Sequence, residues 1–156
     1  DVSAVLPGLK VWPLMLDSEN GLWVLRVRFE PGTRLPIHFH TGTVHFYQIS
    51  GTWNYVEYPE DRLVGGSYLF EPGGSVHSFM VPDDAVEPAD GFMVVQGSNV
   101  NFTSEGEFVN VMDAGWIEQM IVSCCEALGR PVPRYIKPLA KVGFSDCDRM
   151  PTKEQL

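Results

Sequence analysis

The sequence predicts an all-β fold, an antiparallel sandwich or small barrel, followed by one amphipathic helix. Three observations carry that expectation. Short strand-like runs succeed one another from Leu22 to Met112 with no helical period between them. Pro or Gly stands at most of their junctions. After Asp113 the apolar spacing changes from every second residue to steps of three and four.

The first run, residues 22–30, alternates cleanly: Trp23, Leu25, Val27 and Phe29 fall on one face and Arg26, Arg28 and Glu30 on the other. That is the period of a half-buried strand, and Pro31-Gly32 ends it in a turn. Further runs follow at about 35–40, 43–50, 52–58, 67–71, 76–81, 91–96, 99–103 and 107–112. Gly51, Gly65-Gly66, Pro72-Gly73-Gly74, Pro82, Pro88, Gly97 and Gly106 punctuate them, as in a many-stranded antiparallel barrel. Residues 114–128 then place Ile117, Met120, Ile121, Cys124 and Leu128 on one helical face, with Asp113 as N-cap and Gly129 as the stop. This helix is expected to pack on the outside of the barrel. The proline-rich tail from Arg130 reads as extended, crossing to a partner subunit.

At 156 residues the chain is expected to form one domain, a barrel over about 20–112 and a helix and tail over about 113–156. A formal charge of −9 repels phosphate backbones, so nucleic acid is excluded as a partner. No run approaches the ~20 apolar residues of a membrane span, and no charged-then-apolar leader opens the chain. Cys124, Cys125 and Cys147 make an odd, partly adjacent set, a poor disulfide framework that points to a reducing, cytoplasmic compartment.

Three of the four histidines, His38, His40 and His45, lie close together, and His77 follows the Pro72-Gly73-Gly74 turn. His38 and His40 are two apart on a strand, so both side chains leave one face, with Cα atoms ~7 Å apart. An imidazole from a neighbouring strand, His77, would complete a facial set of nitrogen ligands for a divalent metal.

The flanking residues resemble the two cupin motifs. Gly32, five residues and then His38-Phe39-His40 match the first. Gly66 through Pro72, Gly74 and His77 match the second, G(x)5PxG(x)2H, and the 14 residues between Gly51 and Gly66 suit the short-loop cupins. The resemblance covers about residues 20–112 and implies a double-stranded β-helix, or small jelly-roll barrel, with the metal in its mouth and homodimerisation. Within the superfamily, His38-Phe39-His40-Thr41-Gly42-Thr43-Val44-His45, Gly51-Thr52-Trp53-Asn54-Tyr55-Val56-Glu57 and Glu71-Pro72 with Ser75-Val76-His77 resemble the 2,4'-dihydroxyacetophenone dioxygenase family. That family cleaves an aryl hydroxymethyl ketone with iron and O2 to an aromatic acid and formate.

Two positions depart from the pattern. The glutamate that usually follows HxH falls here on Val44 or His45, and the asparagine that usually ends the second motif is Val81. Three neutral imidazoles without a carboxylate leave a divalent site at +2, which favours an enolised ketone chelate and keeps positions open for O2. The resemblance therefore implies a non-haem iron(II) dioxygenase acting on a small hydroxyketone or diketone, with zinc, nickel or manganese as alternative metals in purified protein. Small-molecule substrate and O2 are the expected partners. An oxygen-independent isomerase or lyase is the first rival. The second is a non-catalytic metal- or ligand-binding cupin, like the zinc-binding domain of some anti-sigma factors.

Facing decides the remaining roles. If odd residues of its strand face inward, His45 is a fourth ligand or general base; if even residues do, Val44, Phe46 and Gln48 line the pocket instead. Trp53, Tyr55 and Glu57 share one face, an aromatic wall ending in a carboxylate that could replace the missing ligand if it faces in. Candidate catalytic residues are thus His45 and Glu57, and candidate pocket residues Trp53, Tyr55 and Phe79.

Overall fold

The computed structural model describes residues 7–138. Strands β1 (Leu9–Asp17), β2 (Leu22–Phe29), β3 (Ile37–His40), β4 (Val44–Ser50), β5 (Thr52–Tyr55) and β6 (Leu63–Val64) are followed by β7 (Tyr68–Glu71), β8 (Val76–His77) and β9 (Phe79–Met80). The chain continues through β10 (Ala89–Gln96), β11 (Asn99–Phe102) and β12 (Phe108–Met112) to helix α1 (Ala114–Ala127). A five-stranded sheet has the order β1-β2-β10-β4-β7, a four-stranded sheet the order β12-β11-β3-β8, and a three-stranded sheet the order β6-β5-β9. The central pairings join strands far apart in sequence: β10 lies antiparallel between β2 and β4, and β3 between β11 and β8. Such crossing between sheets is the wiring of a jelly-roll barrel.

The alternation in β2 is realised as expected. Trp23, Leu25, Val27 and Phe29 are buried, and their faces join Val44, Phe46, Trp53, Phe79 and Val95 in one core. The Pro31-Gly32 turn needs its glycine, because Gly32 has φ +79°, a region closed to most side chains.

The structure departs from the sequence expectation in several places. The sheet begins at Leu9, ahead of the expected barrel boundary; Pro13 masks this strand, and the β1–β2 register shifts between Pro13 and Met15. Pro is tolerated there because β1 is an edge strand. The expected run 76–81 divides into β8, which pairs with β3, and β9, which pairs with β5. The run 52–58 stops at Tyr55, where a turn bonds Tyr58 N to the Tyr55 carbonyl at 3.1 Å.

Helix α1 forms where expected. Asp113 caps it by accepting from Trp116 N at 2.8 Å, and Ala114, Ile117 and Ile121 are buried. It does more than cover the outside, since Trp116, Ile117 and Met120 form part of the wall of the internal cavity. Leu128, assigned to its apolar face, is exposed. The tail returns to its own chain: Leu16 N bonds to Ile136 O at 3.0 Å and Ile136 N to Leu14 O at 2.9 Å. It thereby covers the free edge of β1. Cys147 lies outside the described residues, as does the tail beyond residue 138. No helix of the described residues is long and apolar enough to cross a membrane.

Candidate metal centre

Strand β3 turns its even residues inward. His38 and His40 are 4% and 3% exposed, while Ile37 and Phe39 are half-buried on the other face. His77 on β8 is the direct cross-strand partner of His38 and is 4% exposed, with Val76 pointing out to solvent. Residues opposite one another in an antiparallel pair share a face, so register alone brings the third imidazole to the first two. Ring centroids lie 4.7 Å apart for His38 and His77, 5.3 Å for His38 and His40, and 6.0 Å for His40 and His77. One nitrogen from each of the three lies within 4.8 Å of the others.

Burial disfavours the charged form of all three rings. It pushes His40 down to about 3, with His38 and His77 adding to the effect and Asn99 opposing it. His77 is pushed down to about 4, by burial first and by its neighbour His38 second, against the opposing pull of Glu57. Burial likewise lowers His38, against the Pro36 hydrogen bond and Glu57. The imidazoles are therefore neutral near pH 7, the form that ligates a metal. His38 Nδ1–H donates to the Pro36 carbonyl at 2.8 Å, which leaves Nε2 with a free lone pair.

A carboxylate is present after all, from an unexpected strand. Glu71 ends β7, and its partner across β4–β7 is Val44, the position where the motif's glutamate was sought. Its Oε2 lies 3.3 Å from His40 Nε2 and 3.5 Å from His77 Nε2, while Oε1 accepts the Tyr55 O–H. Burial raises the Glu71 pKa and the Tyr55 hydrogen bond opposes it. Tyr55 is in turn held protonated, by burial first and then by the adjacent Glu71. The expectation of a site without a carboxylate is thus corrected. In the sequence Glu71-Pro72 entered only as part of the family resemblance, with no site role, because the strand pairing that brings Glu71 to the histidines is not visible there.

These residues fit a divalent cation. His77 Nε2 and Glu71 Oε2 are buried polar atoms with no hydrogen-bond partner, and both face the same spot. His40 Nδ1 and Asn99 Oδ1 are also buried and unpartnered, on residues directly opposite across β3–β11. An N–H held by such a neighbour directs the other ring nitrogen to a metal.

The remaining candidates separate. Strand β4 faces its even residues inward: Val44, Phe46 and Gln48 are buried. His45 is exposed, its Nδ1 2.7 Å from the Tyr68 hydroxyl and its ring beside Phe70, so it cannot serve as ligand or base at this site. Glu57 lies past the end of β5, where strand parity no longer holds. It is exposed, accepts from Ser78 N at 3.0 Å and is not part of the cavity wall. Burial would raise its pKa, but the Ser78 amide holds it below the ordinary value. Trp53, Tyr55 and Phe79 do line the cavity. The Tyr55 ring lies 4.5 Å from that of His77, and Trp53 packs on Phe79 at 4.8 Å and donates to Gln48 Oε1 at 2.9 Å.

The cavity is about 250 Å³ and lined mostly by apolar side chains, among them Leu25, Val27, Phe29, Phe46 and Met93 of the five-stranded sheet and Trp116 and Met120 of α1. Metal-ligand chemistry is confined to one end of it.

A jelly-roll barrel that buries an HxH pair and a third histidine beside an apolar cavity defines a cupin. The chain belongs to the ChrR Cupin-like domain family, whose model matches residues 2–97. A crystal structure of a protein of unknown function with a cupin-like fold from Ralstonia eutropha JMP134 is 41% identical, with a TM-score of 0.81, over 87% of this chain and 83% of that one. An RmlC-like cupin from the same organism is 21% identical, with a TM-score of 0.73, over 81% and 80% of the two chains. An acetylacetone dioxygenase from Acinetobacter johnsonii shares the fold at 16% identity and a TM-score of 0.67, over 74% of this chain and 78% of that one. Among curated proteins, none matches the sequence.

Proposed function

We propose that this chain is a mononuclear iron(II)-dependent dioxygenase that cleaves a carbon–carbon bond of a small hydroxyketone or diketone. The observation that carries the reading is the meeting of three buried, neutral imidazoles at one end of an apolar cavity of about 250 Å³. His38, His40 and His77 would hold the ion. Bound there, it supplies Lewis-acid polarisation of the ketone oxygens and redox access to O2. The acetylacetone dioxygenase, alike in fold alone, supports the reading to the extent that this architecture houses such a reaction.

The chain's own residues have the following parts. Glu71 Oε2, free of hydrogen bonds, is the base for a proton on the substrate's α-carbon or hydroxyl. Tyr55 holds Glu71 through its other oxygen, so the free oxygen stays aimed at the histidines. Phe46, Trp53 and Phe79 exclude water and provide a flat apolar wall. For an aryl hydroxymethyl ketone, one ketone and one O2 give two carboxylic acids, an aromatic acid and formic acid.

Glu71 also favours a second reading. A carboxylate within reach of two imidazoles supports an oxygen-independent isomerase or lyase, in which proton transfer at Glu71 is the chemistry. Oxygen uptake separates the two. Anaerobic protein loaded with Fe(II) is given a panel of aryl hydroxyketones and β-diketones and then air. Stoichiometric O2 consumption with carboxylic acid products supports the dioxygenase. Solvent deuterium entering the substrate's α-position with no O2 uptake would establish the second reading instead.

A further inference from the structure

On the five-stranded sheet, the side chains that alternate with the cavity-lining Leu25, Phe46 and Met93 face outward. Register lines up Tyr68, Tyr47, Phe92, Arg26 and Trp12 in one rank across all five strands, from β7 to β1. The next rank is Phe70, His45, Val94, Val24 and Met15. Much of this apolar face is open: Tyr68 is 62%, Phe70 50%, Tyr47 49% and Trp12 40% exposed. Aromatic residues and Met with a lone Arg are the composition of an interface core, and Lys10 and Arg28 in a flanking rank supply a charged rim. Polar groups within the face are already paired across strands. Asp90 holds Arg26 through bonds of 2.9 and 2.8 Å, and His45 Nδ1 lies 2.7 Å from the Tyr68 hydroxyl. Burying the face therefore leaves few polar groups unmatched.

The occupant that fits is a second copy of this chain. Each copy carries −9, and copies avoid like-charge repulsion by meeting through a face whose charges cancel internally, as Arg26 and Asp90 do. A twisted sheet packs on its own copy about a two-fold axis, with the two faces ~10 Å apart. Four of the five strands run seven to nine residues. That gives an outline of ~24 by ~27 Å, which with side-chain relief is close to the ~800 Å² that a stable dimer takes from each partner.

Such a contact reaches the metal end through β7. This edge strand is four residues long and pairs with β4 alone. Tyr68 and Phe70 face out from it, and the following residue, Glu71, faces the histidines. We infer that a second copy docks on the outer face of the five-stranded sheet, and that this contact holds β7, and with it Glu71, in place beside His40 and His77. Glu71 is thus positioned in part from the neighbouring subunit, because burial of Tyr68 and Phe70 removes the local freedom of a short edge strand. The interface is independent of the reaction proposed above, and its link to Glu71 rests on the metal centre.

Sedimentation equilibrium of the full-length protein reads the assembly, and zinc affinity, by competition with a chromogenic chelator, reads the link. The parent is expected to be a dimer. Tyr47→Glu with Tyr68→Glu is expected to make it monomeric by bringing carboxylates to both sides of the contact, and to weaken zinc ~5-fold. Trp12→Glu lies at the far end of the rank, four strands from β7. It is expected to dissociate the dimer and weaken zinc by the same factor without touching β7, and it serves in place of the double variant if that does not fold. A monomeric parent leaves the face to a different partner and overturns the proposal, as does a dimer that survives both variants unchanged. If Trp12→Glu is monomeric and binds zinc as tightly as the parent, the link to Glu71 is overturned. A parent that binds no zinc overturns that link together with the metal centre.

Discussion

Replacing Glu71 by glutamine should move stability and chemistry in opposite directions. Glu71 is 8% exposed, its Oε1 accepts from Tyr55, and its Oε2 has no hydrogen-bond partner. A buried acceptor left unpaired costs ~1–3 kcal/mol. The glutamine would keep an oxygen for Tyr55 and turn an N–H toward the neutral nitrogens of His40 and His77, 3.3 and 3.5 Å from the present Oε2. The metal-free variant should therefore be more stable than the parent by about 1–2 kcal/mol. In a chain of this size that is a rise of roughly 2–8 °C in Tm.

The sign follows from the raised Glu71 pKa. Above the ordinary carboxylate range the unfolded chain ionises this group more readily than the folded one, so folding is penalised as pH rises. The gain from Glu71→Gln should accordingly be largest at pH 8 and vanish near pH 4. With metal bound the sign reverses, because the carboxylate then faces a dication. Affinity should fall ~10–100-fold, and turnover of an active substrate at least ~100-fold. Scanning calorimetry of metal-free and metal-loaded protein, beside O2 uptake, reads all three. A metal-free variant less stable than the parent would refute the reasoning, since His40 or His77 would then carry a proton and form a true ion pair with Glu71.

His77→Ala should reduce metal retained after dialysis to well below one equivalent by elemental analysis, and retention equal to the parent's would remove His77 from the ligand set. Metal-free protein should lose stability as pH falls below ~6.5, because the unfolded histidines then bind protons that folded His77, at about 4, and His40, at about 3, refuse. The loss should reach a few kcal/mol in urea titrations, with a shallower slope in His77→Ala. Gly91→Ala should destabilise by about 1–3 kcal/mol, since its Cβ would lie 2.0 Å from Phe46 Cζ. The Phe46 ring lines the cavity and packs on Trp53, 5.5 Å away, so its displacement in the same variant should weaken ligand binding, by calorimetry.

Periodicity and spacing settled the local features. Alternation in residues 22–29 predicted a strand with one buried face, and the apolar face with a capping aspartate located α1. The pairing of His38 with His40 was legible because a period of two admits one geometry, and the second motif marked His77. Three other features depended on which strands pair. Glu71 joins the histidines because β7 pairs with β4 in the register that sets it opposite Val44, a relation between residues 27 positions apart. His45 was undecidable for the same reason: a strand's alternation defines two faces, and only the sheet packed against it decides which is inside. Glu57 lost its predicted facing because β5 ends two residues earlier, so the parity that linked it to Trp53 and Tyr55 lapses. The amino-acid sequence by itself determined a barrel built around His38, His40 and His77. The carboxylate beside them and the asparagines that continue their rank across the same sheet were decided by tertiary register, because cross-strand neighbours are set by pairing and carry no mark in the linear chain.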